Sequence, residues 1–253
     1  MKGIHINPQL GLLEALEAAQ LLDRRLTVTT NNLANVDTPG YKEDRLSFQE
    51  VLMKKIGPKG RRAFKETVPY LNKEQGILEH TQNPLHFSIV GEGFFKVQTP
   101  NGIAYTRAGN FTIDTQRRLV TPEGYPVLVN GTPLVVDPGM ARGGLITMED
   151  YRLQVSPDGI LSIDGTELGR FDVVTFQDLN KLKKIGENLY IAEGMEEIPA
   201  TNYEIRQGFI EKSNVNPIRE MVSLIEIQRT FQSVQKVIQG WDEATEKLLG
   251  LNR

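Results

Sequence analysis

The strongest periodicity in the chain lies near its end. Leu224, Ile227, Phe231, Val234, Ile238, Trp241, Thr245 and Leu248 recur at alternating steps of three and four, and seven of the eight are apolar. Such spacing predicts a helix with a coiled-coil seam, Thr245 being its one weak layer. Asn216 supplies an N-cap and Pro217 a first helical position, the residues that helix starts favour. A second stripe, Ile218, Met221, Val222 and Ile225, occupies another face of the helix start. From Pro217 to Leu249 the helix would run roughly 50 Å, longer than a compact β domain needs to cover it. At the other end, residues 10–36 also read as a helix. Leu12, Ala15, Leu16, Ala19, Leu22, Leu26 and Leu33 share an arc of roughly 120°. Leu10, Leu21 and Val28 fall on the opposite side, beside Glu17 and Arg24. Apolar groups on two faces fit a helix buried in its own domain and a helix meant for other subunits equally well.

Between the helices the texture is different. From Gly76 onward, short runs rich in Val, Ile, Phe, Tyr and Thr alternate with Asn101-Gly102, Glu123-Gly124, Asn130-Gly131, Asp158-Gly159 and Asp164-Gly165. Strands separated by such turns predict an antiparallel β domain, placed at 84–200. Phe87–Val90, Gly93–Val97 and Leu119-Val120 are its expected strand cores. Glu43 to Gly57, with Leu46, Phe48, Val51, Leu52 and Ile56, is mixed and fits a short helix. Lys54 to Lys65 holds six basic residues, no acidic ones and a single aromatic, Phe64, which favours a mobile solvated loop over a nucleic-acid surface. The expected fold is mixed, mainly β with helical termini. A discontinuous coiled-coil domain (1–36 plus 214–253) flanks an inserted antiparallel β domain, with a linker and extended connection at 37–83 and a return connection at 201–213.

The stretch from Asn31 to Lys42, NNLANVDTPGYK, joins the first helix to everything after it. Thr38 is pushed towards extended backbone by Pro39, which ends the helix by about Asp37. Gly40 permits a left-handed turn, and Tyr41 and Lys42 restart the chain.

Composition narrows the classes. The 253 residues are 39% hydrophobic and 24% charged, with a net charge of −3 and a pI of about 5.8. That gives a soluble globular composition and no electrostatic case for nucleic acid. There is no cysteine, which removes disulfides, thiolate metal sites and cysteine nucleophiles together. No run of 18 apolar residues predicts membrane insertion, and Leu10 to Leu22, interrupted by Glu14 and Glu17, does not make a signal peptide. His5, His80 and His86 are the whole histidine supply and suggest packing or surface roles. Gly91-x-Gly93 lacks a third glycine, since position 96 is Lys96, so it is no dinucleotide loop. Glu196-Glu197 sits in a loop, where adjacent carboxylates are usually just solvated. The expectation is a protein that is not an enzyme and carries no cofactor or metal.

Several blocks resemble the flagellar rod, hook and hook-associated axial proteins. Asn31, Asn32, Ala34 and Asn35, then Thr38, Gly40, Tyr41 and Lys42, resemble the signature that follows the N-terminal helix in that family. Gly91–Val97, Tyr105–Phe111 and Leu119–Thr121 with Glu123–Leu128 resemble its β blocks. Gly208–Asn216 with Glu220-Met221-Val222 resembles the approach to its terminal helix. Two departures stand out: His86 replaces a usual acidic residue, and Arg117-Arg118 a pair that usually contains Gly. The resemblance implies a basal-body rod subunit located in the periplasm. It would polymerise through its terminal helices into the drive shaft that carries torque from motor to hook. Leu12, Leu16, Ala19, Leu26 and Leu33 would contribute to the assembly interface, with Leu224, Ile227, Phe231, Val234, Ile238, Trp241 and Leu248 from the other end. Other copies of the chain, other rod subunits and the flagellar type III export apparatus are the implied partners. Within the family, length and the compact β domain lean towards the proximal rod, with a distal-rod or hook-type role as the alternative. An oligomeric sugar-binding or hydrolytic β domain is the distant alternative from another class.

Overall fold

The computed structural model describes residues 8–52, 63–136, 153–163 and 165–250. Its contacts divide the chain into two compact units: Met1–Ala34, Asp44–Tyr70 and Asn216–Arg253 form unit 1, and Asn35–Glu43 with Leu71–Val215 forms unit 2. The architecture is mainly β, with one helix near each end of the chain.

In unit 1, helix α1 (Pro8–Ala34) and helix α2 (Pro217–Gly250) pack against each other. Leu22, Thr29 and Asn32 are buried on α1; steps of seven and three keep them on one face. Ile227 and Glu220 are buried on α2. The start of α2 is capped as expected, with Asn216 Oδ1 accepting the N–H groups of Ile218 at 3.1 Å and Arg219 at 3.2 Å. These satisfy donors that would otherwise have no partner inside the helix. The second stripe stays open: Ile218 is 73% exposed, Met221 51%, Val222 50% and Ile225 48%.

The short helix expected over 43–57 is not formed in its described part, 43–52, and 53–57 lie outside the described residues. Asp44–Leu52 is a strand and pairs with Ala63–Leu71 in a two-stranded sheet. The reason lies in parity: Leu46, Phe48 and Leu52 are separated by even steps, the strand period, and the pattern is too short for a helical period to outweigh it. The basic run Lys54–Lys65 lies outside the described residues up to Arg62, and Lys65 belongs to the second strand.

In unit 2 every strand pair among the described residues is antiparallel. The largest sheet has six strands, in the order Leu182–Gly186, Leu189–Ala192, Gly102–Thr106, Phe94–Thr99, Val173–Thr175 and Ile198–Pro199. Alternation along Phe94–Thr99 sends neighbouring side chains to opposite faces. Phe95 and Val97 enter a core with Phe87, Phe111 and Phe171, while Phe94 joins Tyr105, Phe176 and Tyr190 in a second cluster. Phe95 meets Phe111 edge-on at 5.2 Å, and Tyr105 meets Phe176 at 4.8 Å, within the range where aromatic edges attract faces. The predicted strand cores are found at Phe87–Gly91, Phe94–Thr99 and Leu119–Val120. The return stretch is itself strand: Tyr203–Gln207 pairs with Phe87–Gly91, and Phe209–Glu211 with Leu78–His80. Where glycine is usual, Arg117 takes left-handed backbone at φ 61°. The Asp114 carboxylate holds it there by accepting the N–H groups of Gln116 and Arg118, both at 2.8 Å.

Candidate functional site

The chain enters unit 2 through the Asn35–Glu43 segment. Thr38 closes the first turn, donating its N–H to the Asn35 carbonyl at 3.2 Å. Gly40 follows at φ 70°, where a Cβ would fall 2.4 Å from both Ala108 N and the Arg107 carbonyl carbon. Only glycine fits, for its backbone angle and for this close approach. Its N–H donates to the Glu211 carbonyl at 2.6 Å.

This approach brings together three charges that are far apart in sequence. The Glu211 side chain is 1% exposed and is held from two sides. Oε1 accepts Lys42 Nζ at 2.6 Å and the Gly76 N–H at 3.0 Å. Oε2 accepts Arg107 Nε at 3.0 Å, with Nη2 at 2.9 Å. The remaining donors are used as well. Lys42 Nζ reaches the Glu74 carbonyl at 2.8 Å, and the Arg107 guanidinium donates to the carbonyls of Gly93, Gly91 and Ile89 at 2.7, 2.9 and 3.2 Å. Burial pushes the Lys42 amine below its ordinary pKa; Glu211 opposes this and Arg107 adds to it.

A layer of side-chain amides, backbone groups and the Glu43 carboxylate lies beside these ions. The Glu43 N–H donates to Asn214 Oδ1 at 2.7 Å, and Asn214 Nδ2 donates to the carbonyls of Asn72 and Glu74 at 3.2 and 2.8 Å. Asn72 Nδ2 returns to Glu43 Oε2 at 2.8 Å. Residues 38–43, 71–76, 107 and 211–214 are thus laced together around the buried Lys42, Arg107 and Glu211. Such a cluster holds chain segments in register, and a pocket of about 80 Å³ lined by Lys42, Asn72, Gly93, Phe94 and Arg107 lies against it. Among the described residues, no group of three His, Asp or Glu could hold a metal, and no described helix is long and apolar enough to cross a membrane.

Unit 1 has its own polar tie. Asn32 is 2% exposed; its Oδ1 accepts the Asp44 N–H at 3.0 Å and its Nδ2 donates to the Asp44 carbonyl at 2.9 Å. The amide pairs with one backbone residue as a strand neighbour would, and so pins the start of the Asp44–Leu52 strand to the end of α1.

The residues expected at the assembly interface are graded. Ile227 is buried at 2%; Ala19, Leu26, Leu33, Leu224, Val234, Ile238 and Trp241 are half-buried; Phe231 and Leu16 are exposed at 36% and 46%. Leu12 and Leu248 lie on α1 and α2, and their side chains fall outside the described residues. In the signature, Asn32, Gly40, Tyr41 and Lys42 are buried, Asn35 and Thr38 are half-buried, and Asn31 and Ala34 are exposed. Sequence reading carried Arg107 and Glu211 only as members of family blocks and did not pair them with Lys42. Arg107, set between Thr106 and Ala108, gives the one local signal, and it names no partner.

These features define a protein whose buried polar groups lock distant chain segments together. Comparison with known proteins says which kind. Residues 12–42 match the model described as flagella basal body rod protein, residues 88–163 the flagellar hook protein FlgE/F/G D1 domain, and residues 206–251 the flagellar basal body rod FlgEFG protein C-terminal. The flagellar basal-body rod protein FlgF of Caulobacter vibrioides is 36% identical over 249 residues, covering 94% of this chain and 97% of its own length. FlgG of Bacillus subtilis is 33% identical over 255 residues, covering 90% and 94%. FlgF of Mesorhizobium japonicum is 31% identical over 244 residues, covering 92% and 95%. The chain belongs to the flagellar basal-body rod protein family. All three matched regions meet at the ion cluster, through Lys42, Arg107 and Glu211 respectively.

Proposed function

We propose that this chain is a structural subunit of the bacterial flagellar basal-body rod, polymerising through its terminal helices into the axial shaft that transmits torque from motor to hook. The observation that carries this is the open stripe Ile218, Met221, Val222 and Ile225 on α2, in a chain whose relatives are named as rod proteins. Apolar side chains of that size on one helix face are stabilised once another subunit covers them. A head-to-tail contact repeated between copies builds an open helical filament. In this reading the seam from Leu224 to Leu248 packs as a coiled coil with the arc from Leu12 to Leu33. The partners are further copies, other rod subunits and the type III export apparatus that delivers the chain to the periplasm, and the role is not catalytic.

The proximal rod is the favoured position, supported by the 36% identity to a protein named FlgF. A distal position is the second reading, supported by 33% identity to one named FlgG. Immunogold labelling of extracted basal bodies with an antibody against unit 2 tests both. Label on the rod towards the inner-membrane ring is expected, and label near the hook would select the distal reading. Intact basal bodies without label would overturn the rod assignment. Phe231→Asp or Ile238→Asp is expected to abolish incorporation while unit 2 stays folded; normal motility in such a strain would remove the seam from the assembly interface.

A further inference from the structure

Two hairpins of unit 2 turn through residue pairs of different chemistry. Strands Leu128–Val129 and Thr132–Pro133 turn through Asn130-Gly131 at φ 50° and 78°, residues that take left-handed backbone readily. Strands Leu182–Gly186 and Leu189–Ala192 turn through Glu187-Asn188 at φ 50° and 56°. Glutamate is disfavoured there and glycine is missing from the second position. Strained backbone of this kind persists where surrounding contacts hold it, and here they do. The Tyr125 hydroxyl hydrogen-bonds Glu187, which raises the tyrosine's pKa. The Asn188 carbonyl accepts the Thr106 hydroxyl at 3.0 Å, and its side-chain amide donates to the Pro39 carbonyl. On the adjoining strand, Lys184 Nζ lies 4.1 Å from the centre of the Tyr41 ring and donates to the Lys42 carbonyl at 2.8 Å.

Three contacts from one hairpin therefore fall on four consecutive residues, the segment through which the chain passes from α1 to the ion cluster. We infer that the Leu182–Ala192 hairpin is a strap that positions Pro39–Lys42, with Lys184 and Asn188 as its positioning residues. The tip carries Asn188 because glycine, the better turn residue, has no side chain to reach Pro39. Lys184 adds a cation over an aromatic face and a donor to the backbone beside it. This role belongs to the chain by itself, whatever it assembles with.

Hydrogen exchange followed by mass spectrometry on the full chain tests the strap. Asn188→Gly and Lys184→Met are each expected to speed exchange of the amides in 38–43 by about tenfold, the scale of one lost hydrogen bond. Exchange within the hairpin and across Phe94–Thr106 should not change. Lys184→Arg, which keeps the cation and a donor, is expected to restore slow exchange. Unchanged exchange at 38–43 in both variants would overturn the inference. So would a uniform rise throughout unit 2, or failure of the arginine to rescue. Asn188→Gly relieves backbone strain, so it tests the contact without threatening the turn; should it misfold, the Lys184→Met and Lys184→Arg pair decides.

Discussion

The two units handle their apolar and charged side chains in opposite ways. In unit 2 the aromatic residues close on one another across both faces of the six-stranded sheet, and the buried Glu211 is enclosed by Lys42, Arg107 and backbone donors. In unit 1 Leu22 on α1 and Ile227 on α2 are buried, yet a stripe from Ile218 to Ile225 on α2 stays open. A unit whose buried charges are enclosed internally gains little from a neighbour, whereas one with uncovered Ile and Val side chains gains about 25 cal/mol for every Å² that a neighbour covers.

The largest expected effect lies in the closed unit. Glu211→Ala leaves the Lys42 and Arg107 charges buried without their carboxylate, and should cost about 3–5 kcal/mol in urea unfolding. A loss below about 1 kcal/mol would mean that unit 2 is not closed in the sense argued here. Next comes Asn32→Ala, which orphans the Asp44 N–H and carbonyl and should cost about 1–3 kcal/mol, read as lost helicity by circular dichroism while near-ultraviolet signals from the unit 2 aromatics persist. If both signals fell together, the units would not be separable in stability.

A smaller effect is expected from pH. Burial lowers the pKa of His86, whose ring lies 2.8 Å from Thr81 Oγ1 through Nδ1 and 3.1 Å from Asn83 Nδ2 through Nε2. With the folded pKa below the unfolded one, the unfolded state takes up the proton first. The contribution is therefore present above the unfolded pKa, about 6.5, and is lost as pH falls through the folded value. His86→Gln should flatten the dependence of the unfolding midpoint below neutral pH; an unaltered slope would rule the histidine out as its source. Smallest of all, Met221→Asp should change the stability of the isolated chain by no more than about 0.5 kcal/mol, as exposed positions usually do, and yet prevent assembly. A large loss in the isolated chain would show that the stripe is already covered within unit 1.

The helices and the β texture were legible in the sequence because they rest on local rules. A 3,4 spacing from Leu224 to Trp241, an Asn-Pro start and Asn-Gly or Asp-Gly turns each express their geometry within a few residues. The strand at Asp44–Leu52 was not legible, because a nine-residue stretch satisfies either period and its partner, Ala63–Leu71, decides between them. The ion cluster was out of reach for a different reason. Lys42 and Glu211 are 169 residues apart in sequence, and Arg107 and Glu211 are 104 apart. No periodicity links positions at such distances, so only folding of the β unit reveals that they share one site. By itself, then, the sequence determined the two terminal helices, the strand cores of the β unit, where the chain turns and to which family it belongs, since all of these reside in short blocks of residues. Tertiary structure alone decided which buried charges neutralise each other and which apolar stripe stays open, because both depend on what long-range packing places, or fails to place, against each side chain.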